Sequence, residues 1–334
     1  MNRSRLGNSD LMISRVGLGT AAMGGPAWSD SWGAQDDRES AGAIARAVEG
    51  GINWLDTAPV YGHGHSEVVI GNALRSLPPA DRPMVFTKCG MQWDPSQPQR
   101  PHVRTLRPDT MRLELEDSLR RLQLDEIDLY QIHQPPAVDS ASLEDCWGEM
   151  IKLQEEGLVR AIGVCNFTVA LLEQCAQVRA PDSLQPPFSM LHSEMAAEEL
   201  PWCRTHGTGV IVYRPLQSGL LTTTFTEATI SNLPGDDWRL RHADFQQPAL
   251  GRHLAVRDGL GSVALRHQAT VEEVAIAWAL AWPGVTGAIV GARSAAQVDK
   301  WLGAGDLILA NEDLDELVEA LDALPTERGP ARPG

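Results

Sequence analysis

The chain has 334 residues, 43% of them hydrophobic, enough for two domains of about 150 residues or one large α/β barrel with a core that needs no disulfide or metal to fold. Its formal charge of −16 at pH 7 and pI near 4.9 repel phosphate backbones and anionic lipid headgroups, which disfavours nucleic acid and acidic membranes as partners. No run approaches 18 consecutive apolar residues and the N-terminus has no secretory apolar core, so a cytoplasmic protein with no transmembrane helix is expected. Five cysteines, odd in number and never in CxxC form, argue against a disulfide framework and a structural zinc site.

Short apolar runs alternate with segments of helical period. VGLGT (16–20) precedes a helix over 37–49, INWLDT (52–57) one over 66–77, and MVFTKC (84–89) one over 108–122. EIDLYQIH (126–133) precedes a helix over 143–156, and RAIGVCN (160–166) one ending near 178. A weak strand near 188–191, a helix near 198–206, the strand GVIVYRP (209–215), a helix over 271–282 opened by a Thr270 to Glu273 capping box, and GAIVGAR (287–293) complete the series. Eight strands interleaved with helices, without a Pro/Ser-rich linker, predict a single (β/α)8 barrel domain over residues 1–334. A doubly wound sheet should show GxGxxG after a strand, and YGHGHS lacks the third glycine. Two long connections, 90–107 and 216–269, both follow strands and so belong to the C-terminal face, where barrels build their active sites.

Polar groups end several strands: Asp56 the second, Lys88 the third and His133 the fourth, with Tyr61 five residues past Asp56. Strand alternation puts Phe86 and Met84 on the face of Lys88, Trp54 and Ile52 on that of Asp56, and Gln131 and Leu129 on that of His133. Each set is mainly apolar with a polar tip, as a packed barrel with a reactive mouth requires. Taken singly, an Asp at a strand end is an ordinary turn-former and a lone His a structural residue. The four together favour chemistry.

The motifs DTAPVYGHGHSE, FTKCG, DEIDLYQIH and IGVCNF, in this order and over about nine tenths of the chain, resemble the aldo-keto reductase family. The resemblance implies a tetrad of Asp56, Tyr61, Lys88 and His133, an N-terminal β-hairpin plugging the barrel base, and NADPH or NADP+ bound extended across the strand ends, NADH remaining an alternative. It implies reduction of an aldehyde or ketone by pro-R hydride, with Tyr61 as general acid. A cofactor-binding regulatory or partner subunit of the same fold is the alternative, and the complete tetrad argues against it. The substrate is expected to be a small carbonyl compound and the protein a monomer or weak homo-oligomer.

The side chains account for this chemistry. A phenol has a pKa of about 10 and donates poorly at neutral pH. An ammonium about 4 Å away, at an effective dielectric of about 20, favours the phenolate by roughly 4 kcal/mol, or about 3 pK units. Lys88 is therefore expected to lower Tyr61 toward 7, Asp56 to hold Lys88, and His133 to act as a neutral donor to the carbonyl oxygen.

By the same resemblance, Asn166 and Gln185, with Cys165 where relatives usually carry Ser, match the nicotinamide carboxamide ligands. Tyr213 matches the aromatic stacked on the nicotinamide ring, and Thr20 and Asp56 lie beside it. Arg214, Pro215, Leu216, Ser218, Gly219 and Leu220 match the pyrophosphate loop, Arg214 being either a pyrophosphate ligand or a solvated charge. Gly291, Arg293, Ser294 and Gln297 match the adenosine 2′-phosphate site, the bland alternative being a Ser294 to Gln297 capping box beside a surface arginine. Lys300 and Trp301 replace the Glu and Asn that many relatives place against adenine. Trp28, Trp32 and Trp93, in the loops after the first and third strands, either line a substrate pocket or pack on the surface. The HGH of 63–65 with Glu67 reads as a loop, and no metal is expected, since barrel metal sites gather ligands from several strand ends.

Overall fold

In a computed structural model that describes residues 1–26, 28–137, 141–322, 324 and 329–334, each apolar run but the sixth becomes a strand with both faces covered, as a parallel barrel requires. The strands are β1 (Val16–Gly19), β2 (Trp54–Asp56), β3 (Met84–Cys89), β4 (Ile127–Ile132), β5 (Val159–Cys165), β6 (Ser183–Gln185), β7 (Gly209–Tyr213) and β8 (Val285–Gly291). All neighbours are parallel and adjacent in chain order, and β8 closes onto β1. The sixth strand lies at 183–185 rather than 188–191. Pro186 and Pro187 follow it, and pairing to β7 continues past them only as an isolated bridge between Pro187 and Tyr213. Phe188 instead packs outside the barrel against Trp278 and Trp282.

Three of the helices between strands start where side-chain caps replace missing backbone acceptors. Asp36 accepts from the Arg38 N–H at 2.7 Å ahead of the helix Asp37–Glu49. Ser142 accepts from the Asp145 N–H at 3.1 Å ahead of Leu143–Glu155. Thr270 and Glu273 exchange both capping-box bonds at 3.0 and 2.9 Å ahead of Val271–Leu280.

The barrel interior is a separate apolar cluster of Trp54, Phe86, Leu129, Ala161, Ile211 and Ile289, capped from below by Leu6, Leu11 and Ile13. Those last three belong to the N-terminal hairpin of Arg3–Arg5 and Met12–Ser14, which plugs the base. Trp54 fills the lower interior, donates its indole N–H to Ser14 O at 2.9 Å and stacks on Phe86 at 5.0 Å. Gly17 is required opposite it, since a Cβ there would lie 2.2 Å from the indole. Strand alternation holds for the Lys88 and His133 faces but not for Ile52, which precedes β2 and joins the outer cluster between sheet and helices. The 216–269 connection is built from helices, Glu227–Ser231, Ala249–Gly259 and Gly261–His267 among them. The 90–107 connection folds into a small hairpin pairing Met91–Gln92 with Val103–Arg104. No described helix is long and apolar enough to cross a membrane.

Candidate active site

Asp56 ends β2, Tyr61 follows in the next turn, Lys88 sits in β3 and His133 follows β4, so four chain segments meet at one rim of the barrel. Lys88 is fully buried, and its ammonium donates to Asp56 Oδ1 at 2.6 Å, Thr57 O at 2.8 Å and the Tyr61 hydroxyl at 3.4 Å. The other Asp56 oxygen accepts from Gln185 Nε2 at 2.8 Å and Gln131 Nε2 at 3.5 Å. The Gln131 carbonyl accepts in turn from Gln185 at 3.2 Å and from the Cys165 thiol at 3.7 Å. A buried ion pair is retained only when its remaining lone pairs are satisfied, and the two glutamines do this for Asp56. The sequence placed Gln131 on the inward face but gave no sign that it reaches Asp56.

Burial alone would lower the Lys88 ammonium, but Asp56, Tyr61 and Cys165 together outweigh it and the group is raised and charged. For Tyr61 the expected fall does not occur. Burial of the phenol raises it above its usual value, and Lys88 offsets only part of this. Removing water costs the phenolate more than one ammonium at 3.4 Å returns. Burial, then Lys88 and His102, push His133 well below the usual imidazole range, so it is neutral. Its ring meets Tyr61 edge to face at 5.9 Å.

These groups open into a cavity of about 670 Å³ that runs along the strand ends. Thr20, Asp56, Tyr61, His133, Asn166, Gln185 and Tyr213 line its inner end. Arg214, Pro215, Leu216, Ser218 and Gly219 line it after β7, and Gly291, Arg293 and Gln297 line it at and after the end of β8. Lys88 lies behind Asp56 and Tyr61 rather than in the wall. Cys165, Leu220 and Ser294 do not line the cavity: Cys165 bonds Gln131, Leu220 is in the outer core, and Ser294 stands at the start of the short helix Ala295–Asp299 without capping it.

Several expected ligands are already engaged. The Asn166 amide donates to His133 O at 3.0 Å and accepts from the Tyr213 hydroxyl at 2.8 Å, leaving one amide N–H for a ligand. Arg293 donates to Gln35 Oε1 at 2.6 Å, to Trp32 O at 3.1 Å and to Ala34 O, tying the first loop to the end of β8. Gln297 accepts from the Arg293 backbone N–H at 2.7 Å, so the Ser294 to Gln297 capping box does not form. Arg214 stacks its guanidinium 4.8 Å from the Trp238 ring and 5.8 Å from Tyr213.

Trp28 and Trp32 line the cavity, and Trp93 does not, stacking instead on His63 at 4.9 Å. The hairpin in the 90–107 connection turns that tryptophan away and brings Met91 and His102 into the wall, two residues that sequence reasoning missed. In the HGH turn, His65 bonds Asp37 at 2.8 Å, while Glu67 is held by Thr87 at 2.7 Å and Arg121 at 2.6 Å. Among the described residues no group of three or more His, Cys, Asp or Glu can hold a metal ion, and all five cysteines are free and buried.

A phenol tuned by a buried ammonium, a neutral imidazole beside it and a long cleft across the strand ends match a known design. Residues 15–322 match the model of the aldo/keto reductase family. The chain belongs to this family. It is 32% identical over 323 residues to the aldo-keto reductase YhdN of Bacillus subtilis (strain 168), covering 96% of this chain and 94% of that one. It is 34% identical over 335 residues to an NADH-specific methylglyoxal reductase of Escherichia coli (strain K12), covering 96% and 100%. Among solved structures, the glycerol dehydrogenase from Gluconobacter oxydans superposes with a TM-score of 0.87 at 34% identity, over 97% of both chains. An aldo-keto reductase from Bacillus halodurans in its holo form shares the fold at a TM-score of 0.78 and 24% identity, over 98% and 99%. This aldo/keto reductase is thus an NAD(P)H-dependent enzyme of carbonyl reduction.

Proposed function

We propose that the enzyme reduces a small aldehyde or ketone to its alcohol with NADPH, and that Tyr61 donates the proton. The observation that carries this reading is the Lys88 ammonium 3.4 Å from a phenol that lines the cavity. Reduction of a carbonyl builds negative charge on oxygen, so a donor must be aimed at that oxygen and held there. Tyr61 is protonated throughout the neutral range because burial raises it. Neutral His133 offers an N–H to the same oxygen, and Lys88 stabilises the phenolate left after transfer. Asp56, pinned by Gln185 and Gln131, keeps Lys88 charged and in place.

The cleft fits a dinucleotide. The Ser218 hydroxyl is buried without a hydrogen-bond partner among the described residues, in the loop after β7 that lines the cavity, as a group meant for an anionic oxygen would be. Asn166 and Gln185 would hold the carboxamide, Tyr213 the ring face, Ser218 and Gly219 the diphosphate, and Gly291, Arg293 and Gln297 the adenosine end. The bound dihydronicotinamide supplies the hydride. Two relatives are named for methylglyoxal and glycerol, and short oxygenated compounds of that size suit the space between Trp28 and the tetrad. The test is loss of reduced-nicotinamide absorbance with NADPH and with NADH over a panel of aldehydes, ketones and sugars. Turnover with NADPH supports the reading, turnover only with NADH overturns the cofactor choice, and none with either overturns the reaction.

A further inference from the structure

His102 is a polar side chain of the substrate-side wall whose chemistry the reduction does not use. The hairpin of Met91–Gln92 and Val103–Arg104 carries it into that wall, where its side chain is only 4% exposed. Its ring stands 6.0 Å from Trp28, which in turn stands 6.0 Å from Tyr61, so the same indole touches both the imidazole and the phenol. Trp28 is fixed there by its own N–H, donated to Gly25 O at 3.0 Å.

The hydrogen bonds around His102 fix its tautomer. Ser29 donates its hydroxyl hydrogen to Asp30 Oδ2 at 2.7 Å, so the Ser29 oxygen faces His102 Nδ1, 3.4 Å away, as an acceptor. Asp30 Oδ2, 3.7 Å from the same nitrogen, favours a proton there too. Burial lowers the imidazole below its usual pKa, so the ring is neutral, with its hydrogen on Nδ1 and a lone pair on Nε2. That Nε2 is buried and has no hydrogen-bond partner among the described residues. His63, which meets His102 edge to face at 5.7 Å, makes no hydrogen bond to it. A buried acceptor left without a donor is costly, and a ligand hydroxyl entering from the cavity would remove that cost.

We propose that His102 accepts a hydrogen bond from a substrate hydroxyl, so that the enzyme selects carbonyl compounds bearing a hydroxyl group over equally long ones that lack it. The reacting carbonyl lies at Tyr61 and His133, Trp28 packs against the carbon chain between, and the hydroxyl reaches His102. The substrate class is therefore short hydroxyaldehydes and hydroxyketones. This inference rests on the reductase reading for its kinetic test but not for its binding test.

The test compares kcat/KM for glyceraldehyde with propanal and for erythrose with butanal, in the wild type, His102→Phe and His102→Gln. The wild type is expected to favour the hydroxylated member of at least one pair by about tenfold, and His102→Phe to erase that preference by lowering kcat/KM for the hydroxylated member about tenfold more than for the plain aldehyde. His102→Gln, whose amide oxygen can accept the same bond, is expected to keep most of it. Absence of any wild-type preference, or an equal fall for both members in His102→Phe, would overturn the proposal. Saturation-transfer NMR of glyceraldehyde and propanal on the wild type and His102→Gln reads the same contact without turnover. Selective binding of glyceraldehyde supports the proposal even if no carbonyl is reduced, and equal or absent binding of the two overturns it.

Discussion

The Lys88 ammonium donates to the Tyr61 phenol at 3.4 Å while donating to Asp56 at 2.6 Å. The shorter bond holds the charge in place, and the longer one is free to tighten as the phenol gives up its proton. Because burial raises Tyr61, the acid is present throughout neutral pH. Because burial and Lys88 lower His133, that ring stays neutral until well below its usual pKa of about 6.5. The pH profile of kcat/KM for reduction is therefore expected to be level from about pH 6 to about pH 9 and to fall only as the phenol ionises. The reverse reaction needs the phenolate, so alcohol oxidation should rise with pH over the same interval. A reduction profile that falls between pH 6 and pH 8 would place a different group in the role of acid.

Gly62 follows Tyr61 with φ of +61°, and a Cβ there would lie 1.9 Å from Gly24 O. Both the left-handed backbone and the close approach exclude a side chain. Gly62→Ala should force the first loop away from the Tyr61 turn and destabilise the fold by about 2 kcal/mol or more. Urea unfolding reads the stability, and the dinucleotide-saturated kcat reads the displacement of Tyr61.

Arg293 has a double duty. Three of its donors bind Trp32, Ala34 and Gln35, and the residue also lines the cleft where adenosine is proposed to bind. Arg293→Ala is expected to weaken NADPH by roughly 1 to 2 kcal/mol, the loss of a charge-assisted bond, and NADH by much less. Release of the first loop should also lower the unfolding midpoint of the free enzyme. Fluorescence titration with both dinucleotides checks the first effect and thermal unfolding the second. Equal weakening of NADPH and NADH would show that the residue acts only through the loop.

The barrel was legible because most strands are short apolar runs and some long helices announce their start, as those behind Asp36 and Thr270 do. That Asp56, Tyr61, Lys88 and His133 come together was legible because their motifs are local and lie in or just after strands. The sixth strand was hidden because Ser183–Gln185 is short and mixed, and the adjacent apolar run after two prolines packs elsewhere. Loop contacts were hidden for a different reason. Trp93 and His102 lie in one excursion, and only the hairpin at Met91–Gln92 decides which of them reaches the cavity. The pKa of Tyr61 depended on a balance between burial and one charge, and sequence supplies the charge without the burial. The engagement of Arg293 by the first loop joins residues 258 positions apart and leaves no local trace.

The most direct measurement is single-turnover hydride transfer in Tyr61→Phe, with dinucleotide affinity measured on the same protein. The variant keeps the ring and removes only the hydroxyl that Lys88 touches. Hydride transfer is expected to slow by about 10² to 10⁴ while the dinucleotide Kd stays within about twofold of wild type. A variant that transfers hydride at the wild-type rate would contradict the assignment of Tyr61 as the proton donor.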